Sequence, residues 1–187
     1  MVRPAQFSPY QRSWAIRAME EAEERTTSYY CIPPHRWERL KYDLLTRQDH
    51  EWEPLPEGTL ARVQRLLHLR PYRSTGYDFY RIQLNDPGIL TAARRENLES
   101  HLYPFLVYIL THEMVHLVRL STILLDESDS LRSADAEERR VQGVVYRILA
   151  SATDLQLEPI LSRLGFNGPA LHGPPQDRPC RDIDPVA

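Results

Sequence analysis

The chain has 187 residues, of which 42% are hydrophobic and 26% are charged, a composition typical of a soluble globular protein. Its net charge of −3 argues against a general nucleic-acid-binding protein, and we expect no nucleic-acid partner. The length predicts a single domain over residues 1–165, followed by a Pro- and Gly-rich tail over residues 166–187.

The first residues, the cysteines and the most apolar stretch indicate in which cellular compartment the protein is expected. Residues 1–6 have no apolar core and no cleavage site, so we expect no secretory signal. Cys31 and Cys180 are far apart in sequence and are interpreted as free thiols in a reducing compartment. The most apolar stretch contains four polar or charged residues, which argues against a membrane span: His112, Glu113, His116 and Arg119. These features predict a cytoplasmic protein.

The first predicted element is a helix. Ser8 at the N-cap, Pro9 at the first position and Gln11 form a capping signature, and the helix is expected to reach about Arg25. An acidic cluster on this helix predicts a solvated face: Glu20, Glu21, Glu23 and Glu24. Residues 29–32 form a short β-prone run before two prolines.

The next segments mix helical and strand patterns. Apolar spacing predicts helices over residues 35–46 and 59–68. Thr75 to Leu84 alternates as a strand, and residues 85–88 predict a turn. A further helix is expected from about Thr91.

The strongest motif lies in the apolar run from 102 to 125. The sequence reads H-E-x-x-H from His112 to His116, within a helix predicted over 102–122 with Pro104 in its first turn. Chance produces about 0.02 such patterns in a chain with this composition. An apolar helix that buries two histidines and a glutamate must give them polar partners, and a metal ion is one such partner.

The spacing of the motif predicts a zinc site. Residues four apart lie on one helix face, so the imidazoles of His112 and His116 can converge on one Zn²⁺. Glu113 points to the side of the metal, where its carboxylate can take a proton from a zinc-bound water and pass it to a leaving amine. The sequence therefore predicts Glu113 as the catalytic base.

Residues 102–150 resemble the zincin metallopeptidases through this motif. The resemblance implies a zincin-like fold, a zinc cofactor, hydrolysis of peptide bonds and a peptide or protein substrate. The metzincin form is excluded because Arg119 and Thr122 occupy its Gly and His positions. In the other large class, the gluzincins, a glutamate on a following helix supplies the third ligand.

A second long helix, predicted over residues 134–154, carries two candidates for that ligand. Glu137 and Glu138 lie equally close to its apolar face, so periodicity does not choose between them. The gluzincin resemblance favours Glu138, because Gln142 stands four residues later, where a polar residue holds the first histidine. A competing interpretation of Glu138 is a capping residue in Asp135-x-x-Glu138.

The resemblance also points to substrate-binding groups. Zincins bind substrate along a sheet edge, for which Thr75–Leu84 is the candidate strand. Tyr146, Tyr77 and Tyr80 are candidates for stabilising the oxyanion. Arg119 is expected to form an ion pair, and His101 and His172 are expected to be structural or exposed.

The end of the chain completes the domain. A short helix is predicted over Glu158 to Leu164, and Cys180 in the tail could occupy the open position of a zinc ion and keep an enzyme latent.

The predicted fold class is mainly α with a small β-sheet, with the active-site helix packed against the glutamate-bearing helix. Two alternatives stay open: a non-catalytic helical regulatory module with a vestigial or structural H-E-x-x-H site, and a zinc amidohydrolase acting on a non-peptide amide. A di-iron bundle would need a second E-x-x-H, which the sequence lacks.

Overall fold

The computed structural model describes residues 5–66, 78–121 and 134–163. In this part of the chain, helices predominate and one small sheet is present, which confirms the α+β class. In chain order the elements are α1 (Pro9–Tyr29), α2 (Pro34–Trp37), β1 (Leu40–Leu45), β2 (Ala61–Leu66), β3 (Asp78–Leu84), α3 (Asp86–Arg95), α4 (Leu102–Leu120), α5 (Ala134–Leu149) and α6 (Glu158–Arg163).

Helix α1 begins where the capping signature predicts. The Ser8 side chain accepts a hydrogen bond from the Gln11 N–H, and the Gln11 side chain accepts one from the Ser8 N–H. The helix extends to Tyr29, beyond the expected Arg25. Its inner face is built mainly from small residues, which let α1 pack closely on α4: Ala15, Ala18, Met19 and Ala22.

The predicted β-prone run at residues 29–32 is wrong, because the chain leaves α1 there in a turn with Cys31 at φ +48°. Cys31 is disulfide-bonded, so the expectation of a free thiol at this position is also wrong. The chain's other cysteine, Cys180, lies outside the described residues. Since disulfides are uncommon in reducing compartments, the cytoplasmic location loses this support and stays a prediction.

Two segments predicted as helices are mainly strands. Residues 35–46 form the short α2 and then β1, and residues 61–66 of the second segment form β2. Their leucines are spaced ambiguously, and pairing with β3 decides the outcome. The predicted solvated acidic face also needs correction, because the Glu23 carboxylate accepts hydrogen bonds from the Trp37 indole and the Tyr42 hydroxyl.

The sheet places β3 in its centre. Among the described strands the order is β1-β3-β2, with β1 parallel and β2 antiparallel to β3. The strand predicted over Thr75–Leu84 is confirmed as β3 for its described residues, but its interpretation as a substrate-binding edge is wrong. Among the described strands β2 lies at an edge of the sheet, and it contacts α4.

Helix α3 begins earlier than expected. The predicted turn at residues 85–88 is instead the start of the helix, because the Asn85 side chain caps it by accepting from the Gly88 N–H. The first residue, Asp86, is fully buried and accepts hydrogen bonds from the backbone N–H groups of Phe7 and Arg47. This carboxylate therefore joins the chain start, the end of β1 and α3.

Helix α4 forms the centre of the fold, and Pro104 lies in its first turn as predicted. It contacts α1, β2 and α5 and buries most of its side chains. Helix α4 ends at Leu120 and helix α5 at Leu149, both short of their predicted ends. Helix α6 is described from Glu158 to Arg163. The predicted end of α6 at Leu164, the predicted loop at 126–133 and the tail from 166 lie outside the described residues.

Within the described part of the chain, no helix combines the length and the apolar character needed to cross a bilayer.

Candidate metal centre

Three side chains from two helices converge beside the core. His112 and His116 lie on consecutive turns of α4, with their Nε2 atoms 3.1 Å apart. Glu138, in the first turns of α5, places one carboxylate oxygen 3.3 Å from the Nε2 of His112 and the other 3.3 Å from that of His116. The structure thus brings together the three residues that the sequence predicts as ligands.

The donor atoms lie close enough together for one metal ion. Ligands at the usual zinc distances of about 2.0–2.1 Å stand about 3.3 Å from one another around a tetrahedron. The two histidine Nε2 atoms are 3.1 Å apart, and each lies 3.3 Å from a different oxygen of Glu138. Two imidazoles and one carboxylate form a donor set that zinc accepts, and a water can fill a further position. His112, His116 and Glu138 would therefore hold the ion.

Glu137, the residue before Glu138, forms an ion pair with an arginine of α4. Glu137 accepts two hydrogen bonds from the guanidinium of Arg119, one of them 2.9 Å long from Nη2. The expected ion pair of Arg119 is therefore confirmed, and its partner is the competing ligand candidate. Helical periodicity gave no means of separating Glu137 from Glu138, but this contact does.

The charge states in the cluster suit a cation. The hydrogen bond with His112 is the main cause that lowers the pKa of Glu138, to about 2, so its carboxylate is ionised at neutral pH. Burial, followed by the nearby His112, lowers the pKa of His116 and favours the neutral imidazole. Neutral imidazole and ionised carboxylate are the forms that bind metals.

Glu113 is buried next to the cluster, with 7% of its surface exposed. Burial raises its pKa to about 7, against the opposing effects of His112 and of a hydrogen bond from the Val63 backbone N–H. A carboxylate with this pKa can both accept and return a proton near neutral pH.

Strand β2 can supply that hydrogen bond because alternate residues direct their backbone N–H groups towards β3 and away from it. The Asn85 N–H donates to the Leu60 carbonyl at 2.8 Å, which makes this a hydrogen-bonded pair of the antiparallel ladder. By alternation, residues 62, 64 and 66 bond to β3, and the backbone groups of residues 61, 63 and 65 point away from it. Val63 therefore directs its N–H away from β3, towards Glu113. Sequence analysis did not identify Val63, because a backbone donor leaves no residue signature.

Tyr108 is a second residue near the site that the sequence analysis missed. It precedes His112 by one helical turn, and that spacing on α4 is a signal that could have identified it. Burial, with a smaller contribution from Glu138, raises the pKa of Tyr108 to about 12, so its hydroxyl keeps its proton.

The predicted oxyanion tyrosines are not assembled at the cluster. Tyr80 is fully buried and donates to the Leu120 carbonyl, so it is excluded as a candidate. Tyr146 is half-buried on α5 and stays a prediction, while Tyr77 lies outside the described residues.

Gln142, which was predicted to hold His112 in place, contacts Glu138 instead. The Gln142 amide donates to Glu138 at 3.2 Å, so it orients the carboxylate directly. His101 contacts Ser100, as expected of a structural or exposed residue, and His172 lies outside the described residues.

Comparisons with known proteins find no counterpart: no family model, curated protein or solved structure matches this chain.

Proposed function

We propose that this chain is a zinc-dependent metallopeptidase of the zincin type, in which His112, His116 and Glu138 bind the metal and Glu113 is the general base. The observation that carries the proposal is the convergence of two imidazoles and one carboxylate, with their nearest donor atoms 3.1–3.3 Å apart, beside the buried carboxylate of Glu113.

Zinc bound by these three side chains would lower the pKa of a water at the open corner towards 7 and polarise a substrate carbonyl. Glu113 takes the proton from the attacking water and passes it to the amine that leaves as the peptide bond breaks. The Val63 N–H holds the Glu113 carboxylate in place during both transfers. Tyr108 stays protonated, so its hydroxyl can donate a hydrogen bond.

The substrate that fits this site is a peptide or protein segment in extended form. Strand β2 is an edge strand of the described sheet, contacts α4 and reaches Glu113 through Val63. An extended peptide can pair with such an edge as an added strand, which would bring one of its carbonyls to the cluster.

Metal analysis and peptide cleavage together test the proposal. Purified wild type is expected to contain about one zinc per chain, and Glu138→Ala is expected to lose it. Glu113→Gln should keep zinc and lose cleavage of a peptide library, while Glu99→Gln, at an exposed position, should keep both.

The outcomes discriminate between functions. A wild type without zinc would refute the proposal. Zinc without peptide cleavage would favour a non-catalytic zinc module, and cleavage confined to non-peptide amides would favour a zinc amidohydrolase.

A further inference from the structure

An ion pair joins the two helices immediately beside the metal ligands. Arg119 lies in the last turn of α4, three residues after His116, and Glu137 directly precedes Glu138 in α5. The Arg119 Nε contacts one Glu137 oxygen and Nη2 contacts the other at 2.9 Å, a two-point contact between planar groups. This pair and the metal cluster therefore lie side by side along the same helix interface.

The pair is well placed to restrain geometry. The Arg119 side chain is only 10% exposed and that of Glu137 is 32% exposed. A shielded, two-point arginine–carboxylate contact fixes the relative orientation of its partners better than an exposed single contact does. Since α4 supplies two ligands and α5 supplies the third, any slip between these helices would move Glu138 away from the histidines.

We propose that Arg119 is a positioning residue for the metal centre: through Glu137 it holds Glu138 against His112 and His116. It has a second effect, because it occupies both oxygens of the one carboxylate adjacent to the ligand and so prevents Glu137 from competing for the cation. This inference rests on the proposed zinc function.

The sign of the change in zinc affinity separates positioning from simple electrostatics. Removal of a positive charge in Arg119→Gln would strengthen cation binding if charge alone mattered, and removal of a negative charge in Glu137→Gln would weaken it. A positioning role predicts weaker binding in both variants. It also predicts weaker binding in Arg119→Lys, which keeps the charge and loses the two-point contact.

The experiment measures zinc dissociation constants by competition with a chromophoric chelator. We expect a roughly tenfold to hundredfold increase for Arg119→Gln and for Glu137→Gln, with the double variant no weaker than either single one. Cobalt(II) in place of zinc should show an altered visible spectrum in both, as expected for displaced ligands. Arg25→Gln, which removes an ion pair with Glu21 and Asp154 far from the cluster, is the matched control and should bind zinc like wild type.

Folding of each variant is checked by circular dichroism, and Arg119→Lys, which keeps the charge, provides the discriminating measurement if Arg119→Gln unfolds. The positioning role would be overturned if zinc bound more tightly to Arg119→Gln and more weakly to Glu137→Gln, or if both dissociation constants lay within about twofold of wild type. Either result would leave the proposed function standing. A wild type that binds no zinc would remove both.

Discussion

The Nε2 atoms of His112 and His116 lie 3.1 Å apart and face the same carboxylate. In the absence of a cation, one ring can donate its N–H to the lone pair of the other, whereas two lone pairs or two N–H groups at this distance repel each other. With a cation between the nitrogens, each imidazole instead directs a lone pair at the positive charge.

Zinc should stabilise the folded protein through these rings. At free zinc about 100-fold above the dissociation constant, binding adds about 2.7 kcal/mol, which corresponds to a rise in Tm of roughly 5–10 °C for a chain of this length. Calorimetry with and without zinc measures the shift, and a chelator should reverse it. His116→Ala should abolish the shift and His50→Ala, at an exposed position, should retain it; equal shifts in both would contradict the site.

Proline substitutions at neighbouring positions of β2 test the hydrogen bond to Glu113. Val63→Pro removes an N–H that points away from β3, so the protein should fold, but the Glu113 pKa should rise and peptide cleavage should fall. Gln64→Pro removes an N–H directed at β3 and should destabilise the sheet. Thermal unfolding and the pH profile of cleavage are measured for both variants. If Val63→Pro were less stable than Gln64→Pro, the assignment of which β2 N–H groups bond to β3 would be wrong.

Local signals were sufficient to predict the start of α1 and the two histidines of α4. The Ser8 capping box fixed the start of α1, and the H-E-x-x-H spacing placed His112 and His116 on one face of α4. Each of these features depends on residues within about one turn of each other, which a sequence displays directly.

Non-local contacts explain the errors. Strands β1 and β2 were predicted as helices because their identity depends on β3, which is distant in the chain. The choice between Glu137 and Glu138 depends on Arg119, in a different helix. The role of the Val63 N–H follows from sheet phase, which the amino-acid type does not encode.

Asp86→Ala should destabilise the protein strongly. The fully buried carboxylate accepts from the Phe7 and Arg47 N–H groups, and its removal leaves both donors without that partner. We expect a loss of about 2–4 kcal/mol in the free energy of unfolding, measured with urea. Asp154→Ala, which removes a 65% exposed carboxylate, should change it by less than about 1 kcal/mol. Similar losses in the two variants would mean that Asp86 has no special role.

The same carboxylate predicts a pH dependence. Burial raises the pKa of Asp86 above its ordinary 3.8, so the folded state binds the proton more tightly than the unfolded state. Its contribution to stability is complete below pH 3.8 and is lost as pH rises through the raised folded-state value. The stability of wild type relative to Asp86→Asn should therefore increase as pH is lowered from about 7 to about 3.5. A difference that stays constant across this range would argue against the raised pKa.

Two leucines near the end of α4 provide a matched test of packing. Leu117 is fully buried and Leu120 is 52% exposed. Leu117→Ala should cost about 2–5 kcal/mol through lost contacts and a cavity, whereas Leu120→Ala should cost less than about 1 kcal/mol. Chemical denaturation of both variants measures the difference, and a small cost for Leu117 would show that α4 is not central to the core.

The order of strands has a consequence for how the molecule forms during synthesis on the ribosome. Strand β3 lies between two strands that are made before it, so β1 and β2 have no neighbour to pair with until residues 78–84 emerge. The hydrogen bond between Val63 and Glu113 cannot form until α4 has been made, and the contacts of His112 and His116 with Glu138 cannot form until α5 has been made. Long-range pairing of this kind slows folding and leaves edges exposed meanwhile. Nascent chains that end before α5 would therefore lack Glu138, the third member of the candidate metal centre.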